Sequence, residues 1–244
     1  MYEKTLTLSL LACALAANVY AANTGDSYNV VYNNQAPTLD GKLDDGVWKN
    51  VKAITDFSNP WVEDKMPSTE FKAYHDDKNL YFAFDVVDPN VVVYDQTDHE
   101  WMVAREDRVE LFMAPGAIDQ ANADGSYPKY MALEMDYKGR ALSMLRDSQK
   151  NVNAEWNPST LELKGERTDK GYVLEGQISL KELNDLGLIK DNTIQAGVYR
   201  AEFSIIEGKG KERADWITWV NPQTEKPNFH INSSFGKFVL EPKK

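Results

Sequence analysis

Apolar and polar residues alternate with a period of two along most of this chain. In Leu80-Tyr81-Phe82-Ala83-Phe84-Asp85-Val86, the residues Leu80, Phe82, Phe84 and Val86 share one face, while Tyr81 and Ala83 keep the other partly apolar. A strand apolar on both faces is a central one. The same alternation predicts strands over Tyr28 to Tyr32, Thr69 to Tyr74, Leu80 to Val87, Arg108 to Met113, Lys129 to Tyr137, Arg140 to Leu145, Leu161 to Arg167 and Tyr172 to Ile178. Ile194 to Ile205, Trp216 to Val220 and Lys237 to Leu240 complete the set. Polar turns at 75–79, Lys138-Gly139 and Asp169-Lys170-Gly171 join three pairs as hairpins. Two short helices interrupt the strands: Asp44 to Lys52, with Asp44 as N-cap, and Leu180 to Leu186, closed by Gly187 in the C′ position. No strand–helix–strand alternation suggests a parallel sheet. The expected fold is all-β, an antiparallel β-sandwich of about ten strands with short helical inserts.

The beginning of the chain follows a different pattern. Met1 to Lys4 carry one lysine, Thr5 to Ala17 are mostly apolar, and Val19-Tyr20-Ala21 offers small residues where a signal peptidase cuts. Residues 1–21 therefore read as a signal peptide, too short in its apolar run to span a bilayer, and 22–244 as a single domain. The expected location is periplasmic or secreted. Leu10-Leu11-Ala12-Cys13 is a loose lipoprotein box, so a lipid anchor at Cys13 is a second reading. Cys13 is the only cysteine, which removes disulfides, thiol nucleophiles and cysteine metal sites from the domain. A net charge of −11 argues against nucleic acid and anionic lipid as partners. It suits a neutral ligand or a metal cation. No later segment reaches membrane length, and a monomer is expected.

Catalytic signatures are missing. There is no nucleophile elbow, zinc-protease motif or phosphate loop, and His75, His99 and His230 are scattered. The 38 acidic residues allow many carboxylate pairs by chance, so a glycoside hydrolase stays open as an alternative. Asp85, Asp88, Asp95, Asp98, Glu106, Asp107 and Glu110 crowd one strand, a loop and the next strand, as calcium's oxygen ligands do. The bland alternative is a solvated acidic loop. Asp85, Asp88, Asp107 and Glu110 are the candidate metal ligands.

Six tryptophans are the more telling set. Trp48 lies in the first helical stretch and reads as core. Trp61, Trp101 and Trp156 sit in polar or proline-bearing loops, and Trp219 follows on a strand. An exposed indole is a platform for a pyranose ring; the alternative for each is a loop anchor packed on the sandwich. On Tyr199-Arg200-Ala201-Glu202-Phe203, alternation puts Arg200 and Glu202 on one face, where guanidinium could donate to vicinal hydroxyls or simply bind Glu202. Arg105 and Arg108 beside Trp101 offer a second such group. The candidate carbohydrate-binding residues are Trp61, Trp101, Arg105, Trp156, Arg200, Glu202, Trp219 and His230.

Five segments in order carry a resemblance to a known family. Ala36-Pro37-Thr38-Leu39-Asp40-Gly41-Lys42-Leu43-Asp44-Asp45-Gly46-Val47-Trp48 resembles the opening of family 9 carbohydrate-binding modules. Tyr74 to Phe84 resembles their strand pair, with His75 where Asp is usual, and Asp107-Arg108-Val109-Glu110-Leu111-Phe112 their acidic strand. Tyr172 to Leu183 resembles a further segment, with Ser179 for the common Pro, and Phe235-Gly236-Lys237-Phe238-Val239-Leu240 the closing strand. The resemblance implies a β-sandwich of the wider DOMON-like superfamily. It also implies non-catalytic binding of a glycan or oligosaccharide by an aromatic clamp with polar side chains, and structural calcium. Some superfamily relatives bind haem through Met and His, which makes an electron-transfer module the main alternative. Met102, Met113, Met131 and His230 are the residues of that kind, with no c-type attachment motif.

Overall fold

The computed structural model describes residues 26–63, 66–94, 100–116, 121–146, 152–153, 156–206 and 211–243. The expected signal segment and Cys13 lie outside them. Within them the alternating segments form twelve strands. In order these are β1 Ser27–Tyr32, β2 Thr69–His75, β3 Asn79–Val87, β4 Arg108–Pro115, β5 Tyr130–Met135 and β6 Ala141–Arg146. Then come β7 Val152–Asn153, β8 Glu162–Thr168, β9 Gly171–Ser179, β10 Thr193–Ile206, β11 Lys211–Thr218 and β12 Gly236–Leu240. One α-helix, α1 Leu180–Asp185, is capped by Ser179, whose hydroxyl accepts from Lys181 N at 3.1 Å. Gly187 follows at φ +71°, a left-handed conformation that suits glycine at C′.

The front sheet runs β7-β6-β5-β4-β10, and β12 and β11 pair one after the other along the far edge of the long β10. The back sheet runs β1-β2-β3-β9-β8. Strand β1 joins the two: Ser27 to Val30 pair with β12, then Val31 and Tyr32 pair with β2. Both of these pairings are parallel, so the sandwich is mixed rather than wholly antiparallel. Hairpin partners must run antiparallel, but β1 is joined to β2 and β12 by long stretches of chain that leave direction open.

Inward residues of both sheets make one core. Leu111 and Met113 of β4, Met131 and Leu133 of β5, and Ile194, Ala196 and Val198 of β10 meet Phe71, Phe82, Phe84, Leu174 and Ile178 of the back sheet. Phe71 stacks on Phe238 of β12 at 5.6 Å and meets Phe84 edge-on at 4.9 Å.

The opening motif closes the outer face of the back sheet. The expected helix after Asp44 is a 3-10 turn, Gly46–Asn50, preceded by Asp45. Asp45 does not cap the turn; its carboxylate accepts from Thr38 N at 2.6 Å. Trp48 packs edge-on against Tyr74 at 5.0 Å, fully buried. Its Nε1–H donates to Glu175 Oε1 at 2.9 Å, while Glu175 Oε2 accepts from the backbone N–H groups of Asp40, Gly41 and Lys42. Gly41 stands at φ +83°, which lets the loop curl around that carboxylate. At the other end of the chain, a Cβ on Gly236 would meet the Trp219 ring at 2.7 Å. Phe235-Gly236 is thus the opening in which Trp219 is buried.

Candidate functional site

Alternation sends Arg108, Glu110 and Phe112 of β4 outward, together with Tyr130, Ala132 and Glu134 of β5. On β10 it sends out Tyr199, Ala201 and Phe203. Register places Glu110 beside both Glu134 and Tyr199, and Arg108 beside Ala201, which in turn pairs with Trp216 of β11. Loop residues Pro227 to His230 complete a cleft of about 370 Å³ over this face, lined by Arg108, Glu110, Glu134, Trp216 and Pro227 to His230. Buried rings pack beneath Phe229 of its lining. Tyr199 lies parallel to Phe229 at 4.2 Å, and Phe112 meets Tyr199 edge-on at 5.0 Å.

A guanidinium and two carboxylates supply the polarity. Arg108 Nε–H donates to Glu110 Oε1 at 2.9 Å. Arg108 Nη1 donates to Ala104 O at 3.0 Å, on the 3-10 helix Glu100–Arg105. The Arg108 guanidinium also lies 5.4 Å from the Trp216 ring and 5.8 Å from the Phe203 ring. Glu134 Oε2 approaches Arg108 Nε to 2.8 Å, but the single Nε hydrogen goes to Glu110, and this buried oxygen receives no hydrogen bond. Desolvation pushes the Glu110 carboxyl well above the usual range; Arg108 opposes this and Glu134 adds to it. Glu134 is raised by desolvation as well, against the pull of Arg108. His230 Nδ1 lies 2.9 Å from the Tyr130 hydroxyl, and its ring lies 5.0 Å from that of Phe112. Desolvation, with Arg146 and Arg108 behind it, lowers the His230 imidazole to about 4, so it is neutral at neutral pH.

A second polar cluster lies inside the sandwich, at one end of the core. Asp88 follows β3, Asp107 precedes β4, and Arg200 and Glu202 are the inward residues of β10 beyond Val198. Asp88, Asp107 and Glu202 each bring a carboxylate oxygen within 4.8 Å of the others. Arg200 pairs with Glu202 and places Nη2 at 3.6 Å from Asp88 Oδ2. Asp107 accepts from Phe203 N and Val92 N, both at 2.5 Å, and Asp88 Oδ1 accepts from Asn90 N at 2.8 Å. Asp88 Oδ2 and the Tyr172 hydroxyl are buried without a hydrogen-bond partner. Three carboxylates share one guanidinium. Desolvation, aided by Glu202, holds Asp107 far above the usual carboxylate range; desolvation, offset by Arg200, lifts Glu202 to about 7. Uncompensated carboxylate charge with an orphaned oxygen fits a hard cation, which takes oxygen ligands.

The expected site residues therefore separate. His230 lines the cleft, and Trp61 packs beside it, 6.1 Å from Phe229, with Nε1–H donating to Thr224 O at 2.8 Å. Arg105 is exposed at the end of its 3-10 helix, and the side chain of Trp101 lies outside the described residues. Trp156 packs against the main core. Trp219 is buried beside Phe238, at 6.2 Å. Arg200 and Glu202 are not on the cleft face: they point inward, and Arg200 is 0 % exposed. Alternation paired them correctly but could not say which side was the interior. Of the expected metal ligands, Asp88 and Asp107 come together, with Glu202 as third member. Asp85 is exposed on the outer face of β3, and Glu110 belongs to the cleft. Met113 and Met131 face the core, on the opposite side of the front sheet from His230.

Glu134 and Trp216 were not singled out by sequence reasoning. Their signal is the outward phase of β5 and β11 relative to Arg108 and Glu110, which requires the strand register.

The carbohydrate family 9 binding domain-like profile matches residues 39–243. The chain belongs to this family. No curated protein matches it. Among solved structures, a family 9 carbohydrate-binding module from Caldicellulosiruptor kristjanssonii in complex with cellotriose is similar at 20% identity and TM-score 0.60, over 90% of this chain and 95% of that one. The same kind of module in complex with glucose gives 20% identity and TM-score 0.59, over 88% and 97%. A candidate carbohydrate-binding protein from Bacteroides uniformis gives 15% identity and TM-score 0.66, over 89% and 100%. No helix among the described residues is long and apolar enough to cross a membrane.

Proposed function

We propose that this domain is a non-catalytic carbohydrate-binding module whose ligand is a glycan or oligosaccharide held in the cleft over the front sheet. The observation that carries this reading is the pairing of Trp216 with Arg108, Glu110 and Glu134. An indole offers a flat apolar surface to sugar C–H groups, and the three polar side chains offer donors and acceptors to hydroxyls. Glu134 Oε2, whose one cationic neighbour at 2.8 Å, Arg108 Nε, is shared with Glu110, has acceptor capacity left for a ligand hydroxyl. Family membership supports the reading, as do the cellotriose and glucose complexes of the similar modules.

Binding is favoured over hydrolysis by the way the two carboxylates are turned. Both lean on the same Arg108 nitrogen, at 2.9 and 2.8 Å, whereas glycosidase carboxylates flank the bond they cleave. The cluster of Asp88, Asp107 and Glu202 would hold calcium in a structural role, neutralising buried charge where the two sheets meet. The apolar run before Ala22 supports export to the periplasm or beyond.

A glycan array that includes cellotriose and glucose, read beside a reducing-sugar assay, tests this function. Retention of at least one glycan with no sugar released is the expected result. Release of reducing sugar, or an array with no bound glycan, would overturn it.

A further inference from the structure

The inward cluster and the outward cleft are built on the same few residues. Asp107 and Arg108 are neighbours in sequence; the first points into the cluster and the second into the cleft. Phe203 joins them again from β10: its backbone N–H donates to Asp107 Oδ1 at 2.5 Å, and its ring lies 5.8 Å from the Arg108 guanidinium. Between Arg108 and Trp216 stands Ala201, paired with both, and the next residue is Glu202 of the cluster. The position of Arg108 against Trp216 thus depends on β4 and β10, which bring Asp107, Arg200 and Glu202 to the cluster that Asp88 joins from the end of β3.

Those carboxylates, when ionised, repel one another unless a cation lies between them. Arg200 supplies one positive charge, with Nη2 3.6 Å from Asp88 Oδ2, and that oxygen and the Tyr172 hydroxyl, both buried, receive no hydrogen bond. We infer that a divalent cation held by Asp88, Asp107 and Glu202 sets the position of Arg108, so that glycan binding in the cleft depends on the cation. Asp107 is then a positioning residue for Arg108 rather than a ligand-contacting one. The cation supplies charge that draws the ends of β3, β4 and β10 together. Its effect on the cleft passes through the 107–108 peptide and Phe203. The inference rests on the proposed glycan site only for its binding readout.

The test is a calcium chloride titration of chelator-treated protein, followed by melting temperature, Trp fluorescence and calorimetric affinity for cellotriose. The expected results are a rise in melting temperature and an emission change that is absent in Trp216→Phe. Cellotriose should bind about tenfold more weakly in chelator than in calcium. Asp107→Asn in calcium should match the chelated wild type, and Asp85→Asn, exposed on the outer face of β3, should match the calcium-loaded one. If Asp107→Asn does not fold, chelation of the wild type still decides the matter. No rise in melting temperature overturns the inference, as does a rise with the Trp216 emission and the affinity unchanged. If cellotriose and the other array glycans fail to bind in either state but the Trp216 emission responds to calcium, the coupling stands and the glycan reading falls.

Discussion

Glu175 is the residue through which two distant segments become one structure. Its carboxylate takes the Trp48 indole N–H and three backbone N–H groups of the opening loop. Replacing it by Ala leaves those donors without an acceptor, and we expect Glu175→Ala to lose about 2–3 kcal/mol in urea unfolding. Glu110 gives a different expectation. Its folded pKa lies above the ordinary glutamate value of 4.5, because burial disfavours the charged form. The folded state therefore keeps its proton where the unfolded chain has released it. The stability that this carboxyl contributes is complete below 4.5 and is lost as pH rises through neutrality. Urea midpoints measured between pH 4.5 and 8 should fall more steeply in wild type than in Glu110→Gln; parallel curves would contradict the assignment. Residue-scale reading of the sequence served where local chemistry decides the outcome. Trp48 read as core and is core, with a glutamate beneath it. It served less well for Arg200 and Trp219, because alternation shows which residues share a face and not which face is enclosed.

At the scale of elements, the period-two pattern made the hairpins legible: β2 with β3, β5 with β6, and β8 with β9. Their turns carry Gly or Asp at the positions that tight turns require. The parallel pairs of β1 were not legible, because nothing local records which distant strand an edge will meet. The cleft was hidden for the same reason. Glu134, Glu110 and Trp216 come from three strands and meet only through register. The closing strand shows how such an element depends on one small residue. In Gly236→Ala the new methyl meets the Trp219 ring and the carbonyl of Asp26, each at 2.7 Å. We expect a loss of about 1–3 kcal/mol, measured by thermal unfolding, with the change in fluorescence assigned to Trp219.

The whole molecule is a two-sheet sandwich with one face given to an aromatic and charged cleft and one end of its core given to carboxylates. The front sheet's inner residues hold the fold, and its outer residues form the face proposed for the ligand. Trp216 and Trp156 separate these roles: the first lines the cleft, and the second packs on the core. Calorimetric titration of wild type, Trp216→Ala and Trp156→Ala with cellotriose tests that division most directly. The account predicts measurable binding by wild type and by Trp156→Ala, with affinity lowered by about thirtyfold or more in Trp216→Ala. Binding that survives in Trp216→Ala and is lost in Trp156→Ala would place the sugar elsewhere and contradict it.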